Sequence, residues 1–249
     1  MIVPFLKRRL WLTQQRLFST LGMAFLLPLL LHVSINIPMR QVVVRTIRNI
    51  PYQQWVFPGM LMILAVITLI PLLYREFFDL RIYKKGLPPI TLTPLTKYNI
   101  IISVLFTAIL ESLVFIIFGM IVFTIIMDVS FVWYDYLIML FFLFLSNCVL
   151  GNLIVTVALL TERVTMFMIL VITIFCFLLF GSGLLIEFEF FPVMLGTTLQ
   201  LFPTSMLITG LRMLIFTGII NWTYIIVPCL IIIIWTSFNS ELLRRKLNQ

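Results

Sequence analysis

Long uncharged stretches constrain this chain more than any motif does. Between Ile100 and Ile126 the only charge is Glu111. Across the chain 62% of residues are hydrophobic and 10% are charged, against about 25% charged in soluble proteins. A membrane-crossing helix needs about 20 consecutive apolar residues to cover roughly 30 Å of hydrocarbon. Six stretches reach that length: about 18–37, 55–73, 99–126, 136–160, 166–186 and 222–239. The gaps between them are too short for a folded unit outside the membrane. The expected fold is an all-α integral membrane protein, one transmembrane domain over residues 1–249 with six transmembrane helices. The first apolar run is too long for a signal-peptide core and lacks a small-x-small cleavage site, so it is expected to be retained as a span.

Lys and Arg set the expected orientation. Thirteen of the seventeen fall on one side: Lys7, Arg8, Arg9, Arg16, Arg75, Arg81, Lys84, Lys85, Lys97, Arg163, Arg244, Arg245 and Lys246. Arg40, Arg45, Arg48 and Arg212 fall on the other. The positive-inside rule then puts both termini in the cytoplasm. This bias, beside anionic lipid, accounts for the net charge of +8 without a nucleic-acid partner. Cys148, Cys176 and Cys229 sit in separate apolar runs and His32 is the only histidine, so neither a metal set nor a disulfide framework is expected.

The gaps have character of their own. Phe5–Leu17 mixes Phe5, Leu6, Leu10, Trp11 and Leu17 with basic and amide residues. Helical spacing predicts an amphipathic helix lying in the inner interface, its apolar stripe opposite Lys7, Arg8 and Gln15. The stretch Tyr74–Lys97 is the longest charged gap on the cytoplasmic side. Arg75, Glu76, Asp79 and Arg81 read as a helical extension of the second span, which Gly86, Pro88 and Pro89 then break. Glu187–Asn221 is too apolar for an exposed loop, yet Glu187, Glu189, Pro192, Pro203, Arg212 and Gly218 interrupt it. Two short helices that enter the outer leaflet and return are expected there.

Side chains for chemistry are scarce. No G-x-x-x-x-G-K-[ST], G-x-S-x-G, H-E-x-x-H or C-x-x-C pattern occurs. An acid inside a membrane normally faces protein or a water-filled path. Glu111 therefore either lines a pathway or dimer seam, or packs against something like Asn147; no basic residue lies within any span to pair with it. His32 reads as a packing histidine or a second pathway residue. Asn147 and Asn152 are expected to bond to neighbouring helices. Glu187 and Glu189, two apart, read as a solvated pair.

Three stretches together resemble the permease subunit of type-2 ABC exporters, a family that includes O-antigen, teichoic acid and drug export permeases. Tyr52-Gln53-Gln54-Trp55-Val56-Phe57-Pro58-Gly59 resembles the family's aromatic-Pro-Gly approach to the second span. Lys85-Gly86 with Leu92-Thr93-Pro94 is similar to its inner loop. Phe191-Pro192, Pro203, Arg212 and Gly218 follow the spacing of its outer re-entrant segment. One departure stands out: Pro88 and Pro89 occupy positions where the family usually carries Glu.

The resemblance implies a transport subunit that is no enzyme and binds no cofactor, with ATP and Mg held by two copies of a separate ATPase. It implies a second permease copy, most simply a homodimer, in the bacterial cytoplasmic (inner) membrane. The cargo would be an amphipathic or lipid-linked glycan, lipid or drug. ATPase coupling would fall to Arg81, Lys84, Lys85, Gly86, Leu87 and Leu92, outer gating to Phe191, Pro192, Pro203 and Arg212, and the pathway or seam to Glu111 and His32. The alternatives are a membrane-embedded lipid-modifying enzyme and an ion-coupled carrier that uses Glu111.

Overall fold

Nine helices follow from these runs among the residues described by the computed structural model, which are 2–15, 17–43, 50–83, 96–127, 129 and 131–247. They are α1 (Ile2–Gln14), α2 (Leu17–Val42), α3 (Tyr52–Ile82), α4 (Lys97–Met127), α5 (Trp133–Leu160), α6 (Val164–Gly181), α7 (Val193–Gln200), α8 (Pro203–Thr217) and α9 (Thr223–Leu247). Six of them, α2 to α6 and α9, are long and apolar enough to cross a membrane, which makes this a multi-pass membrane protein.

Burial sorts the six into centre and rim. The apolar window of α3 is 78% buried, against 17% for α2 and α9 and 22% for α6. So α3 is the axis, with α4 and α5 against it. Leu61, Leu64 and Phe57 of α3 meet Phe123 of α4 and Leu143 of α5 near one end. Leu69, Leu73 and Phe77 meet Leu105 and Ile154 near the other. Small residues let the backbones close in. A Cβ on Gly119 would stand 2.3 Å from Leu64 Cδ2, so a larger residue there would make the Leu64 side chain move.

Both chain termini gather at one end, called here the terminal end. Arg8 reaches Glu76 near the end of α3, and Lys246 Nζ of α9 lies 3.1 Å from Glu162 between α5 and α6.

Helix α3 runs on past 55–73 to Ile82, the helical extension expected from Arg75, Glu76, Asp79 and Arg81, with Tyr74–Asp79 as a π-helical stretch. A second π stretch, His32–Asn36, widens α2. Each begins within four residues of an in-helix proline, Pro71 and Pro28 respectively. Proline has no N–H to return to the residue four back, which frees a carbonyl in the turn before it. Helix α6 stops five residues short of the predicted 186, because Gly183 turns the chain with φ +73°.

Between α6 and α9 the chain forms α7 and α8, bent by 90° across a short break, a shape shared by broken spans and re-entrant loops. Pro203 opens α8 at a position where the missing N–H costs nothing. Gly218, at φ +68°, closes it in the left-handed conformation that glycine adopts freely.

Helix α1 forms, and a residue outside its predicted apolar stripe is the one buried against the bundle. Arg9 is 8% exposed, whereas Leu10 and Trp11 point outward at 51% and 68%. The arginine is turned inward because two carboxylates wait for it there.

Candidate functional site

Glu111 has a basic partner after all, supplied by α1 rather than by a span. Arg9 Nη1 donates to Glu111 Oε2 at 2.8 Å. Arg9 Nη2 donates to the Leu72 carbonyl at 3.2 Å and stands 3.3 Å from Glu76 Oε1. That last contact is an ion pair without hydrogen-bond alignment, since Glu76 Oε1 receives no hydrogen bond. Arg8 Nη1 donates to Glu76 Oε2 at 3.2 Å. Two arginines and two glutamates thus form one charge-balanced cluster joining α1, α3 and α4.

Helix direction explains the convergence. Side chains tilt toward the N-terminus of their own helix. Because α3 runs toward the terminal end and α4 away from it, Glu76 and Glu111 lean toward each other along the axis. The π stretch of α3 carries Glu76. Asn147 is not the partner of Glu111: its amide is fully buried and unbonded among the described residues. A few kcal/mol attach to each buried polar group left so. His32 lies apart from this cluster, with Asn36 Nδ2 3.2 Å from its Nδ1.

The opposite end is organised by Arg212. From α8 it donates through Nε to the Trp55 carbonyl at 3.1 Å, through Nη1 to Gly183 O, and through Nη2 to Leu184 O at 2.9 Å. Its guanidinium carbon sits 3.5 Å from the centre of the Trp55 ring. A planar fork of donors suits this divergent set of carbonyls, and the aromatic face adds a cation–π contact. Gly59 makes room: a Cβ there would lie 2.4 Å from the Leu184 carbonyl oxygen. Tyr52 Oη donates to Leu185 O at 3.4 Å. One arginine therefore fastens the turn after α6 to the start of α3. Pro192 precedes α7 and accepts from Gly196 N at 2.9 Å, half-buried Phe191 stands beside it, and Pro203 opens α8. A cavity of about 250 Å³, with Glu187, Glu189 and Gln200 in its wall, adjoins Arg212.

The chain matches no known protein family, no characterised protein and no solved structure.

Two further polar sets hold helices together. Asn239 Nδ2 of α9 donates to the Asn152 carbonyl at 2.9 Å, and Thr156 Oγ1 donates to Asn239 Oδ1 at 2.7 Å. Trp235 Nε1 donates to Thr156 Oγ1 at 2.8 Å. Asn152 thus bonds a neighbouring helix as its position in a span suggested; its α9 partners had no distinguishing sequence signal. At the terminal end Arg81 donates to the carbonyls of Leu159 and Thr161, where α5 finishes and its unpaired carbonyls attract a cation. Lys84, Lys85, Gly86, Leu87 and Leu92 lie outside the described residues, as do Pro88 and Pro89.

No group of three or more metal-ligating side chains occurs among the described residues. Apart from Asn147, the charged and amide groups described here are tied to one another and to backbone carbonyls. Such an arrangement fixes how helices sit and how the chain turns between them.

Proposed function

We propose that the chain is the membrane-spanning subunit of an ATP-driven exporter, in which a separate subunit hydrolyses ATP and an amphipathic or lipid-linked molecule is moved outward. The observation that carries this reading is the meeting of two resemblance stretches at one side chain. Trp55 and Gly59 of the first stretch surround Arg212 of the third, 157 residues beyond Trp55 in sequence. Residues that give each stretch its likeness are thus the same ones that hold the turn after α6 against α3.

In this reading α7 and α8 form a re-entrant gate at the outer face, with Phe191, Pro192 and Pro203 setting its bends and Arg212 anchoring it. Helix α1 lies along the inner interface, offering Trp11 and Leu10 to lipid. Two copies pair through apolar helix faces left open on the rim. The ATPase docks on the inner stretch from Arg81 to Leu92. Arg81, anchored to the end of α5, carries movement of that stretch into the bundle.

The test is enzymatic. The purified chain in lipid should hydrolyse no ATP, and hydrolysis should appear when its ATPase subunit is added and should drive export of the cargo. ATP hydrolysis by the chain alone, or export driven by an ion gradient without ATP, overturns the reading. The second outcome would favour an ion-coupled carrier using Glu111.

A further inference from the structure

Beside the Arg9–Glu111 pair lies a cavity of about 320 Å³ lined by α1, α2 and α4 and open on one side. Its volume falls at the lower end of small-molecule sites, roughly 300–1,000 Å³. Leu10, Leu21, Ala24, Val114 and Phe118 make most of its wall apolar. Charged and hydroxyl groups reach it from only four residues, Arg9, Thr20, Thr107 and Glu111, among the described lining.

Their commitments differ. Arg9 is engaged by Glu111, Glu76 and the Leu72 carbonyl. Thr107 donates to carbonyls of its own helix, Ser103 and Val104, at 2.9 Å each. Glu111 is the exception. Its Oε2 accepts from Arg9, and no hydrogen bond reaches Oε1 among the described residues. The side chain keeps 18% of its surface exposed. A carboxylate offers about four acceptor sites, and in apolar surroundings each unmet one is costly.

We propose that this cavity is a binding site for an amphipathic amine, an apolar body carrying one ammonium or N–H donor that Glu111 accepts. The open acceptor on Glu111, not net charge, selects this class, since Arg9 in the same wall is already engaged by carboxylates and the Leu72 carbonyl. A ligand carboxylate would meet Glu111 as a like charge. An alcohol donates a neutral hydrogen bond, roughly half as strong as a charge-assisted one. A lipid acyl chain fills the volume and leaves the acceptor unmet. The site stands apart from the exporter reading, because occupancy is measured without transport.

The experiment uses the full chain in phosphatidylcholine nanodiscs and three photoactivatable alkyl probes of equal length, ending in an amine, an alcohol or a carboxylate. Adducts are mapped by mass spectrometry. The amine should label α1, α2 and α4 around the cavity at least about tenfold more than either congener, a difference of about 1.4 kcal/mol. Unlabelled dodecylamine should compete it away. Glu111→Gln should reduce that labelling about tenfold. Because this variant also loosens Arg9, a second variant decides. Val114→Trp fills the wall from a position 53% exposed, leaves the ion pair intact, and should abolish labelling. Equal labelling by all three probes, preference for the carboxylate, or undiminished labelling in Val114→Trp overturns the proposal.

Discussion

Arg212 and Arg9 do similar work by different means, and their substitution separates the two. Arg212 satisfies three backbone carbonyls, each of which loses its partner if the guanidinium goes. Hydrogen bonds from a charged group contribute about 1.5–3 kcal/mol each, less for those that relax to other partners. Arg212→Gln should therefore cost at least about 3 kcal/mol, lowering the unfolding midpoint by roughly 6–12 °C in a thermal melt of the purified protein. Arg9 instead neutralises carboxylates. Arg9→Gln leaves Glu76 and Glu111 together without it, at about 3–5 kcal/mol. Glu111→Gln leaves Arg9 still beside Glu76 and should cost clearly less. The same melt orders the two variants; equal losses would show that the Glu76 contact carries no weight. Sequence alone shows Glu111 as an oddity because its run holds no other charge. It hides the partner, because Arg9 sits in a basic cluster that the positive-inside rule already explains.

At the scale of elements, the six long helices are legible in the sequence because hydrocarbon thickness imposes one length on all of them. Their ends are less legible. The extension of α3 through Arg81 is legible but its π form over Tyr74–Asp79 is not, and the early stop of α6 comes from Gly183, a glycine among several in the chain. The inward turn of Arg9 in α1 is not legible in amphipathic spacing, which marks only the apolar stripe; tertiary ion pairing decides it. Glycines give a clean check on element ends. Gly218 has a positive φ and nothing within 4 Å of a Cβ, so Gly218→Ala should cost about 1 kcal/mol through backbone conformation alone. Gly22 lies inside α2 with equally open surroundings, and Gly22→Ala should stabilise by roughly 0.5–1 kcal/mol. Thermal melts of the two variants should shift in opposite directions.

On the scale of the whole molecule, arginines join segments remote in sequence at both ends of the bundle, Arg8, Arg9 and Arg81 at one and Arg212 at the other. Composition predicts the multi-pass character, because the apolar runs are its direct cause. It cannot predict which loops meet, since Trp55, Gly183 and Arg212 are drawn together only after the spans have packed. The separation of Arg9 from Glu111, 102 residues, sets a schedule for biogenesis. The ribosome makes α1 before α4, so its anchor on α4 does not exist until those 102 further residues have been synthesised. At about 5–20 residues per second that interval is roughly 5–20 s. Nascent chains arrested before α4 has emerged should leave α1 open to protease, and chains arrested after it should protect α1. Helix α1 is thus obliged to wait for a later helix before it can settle.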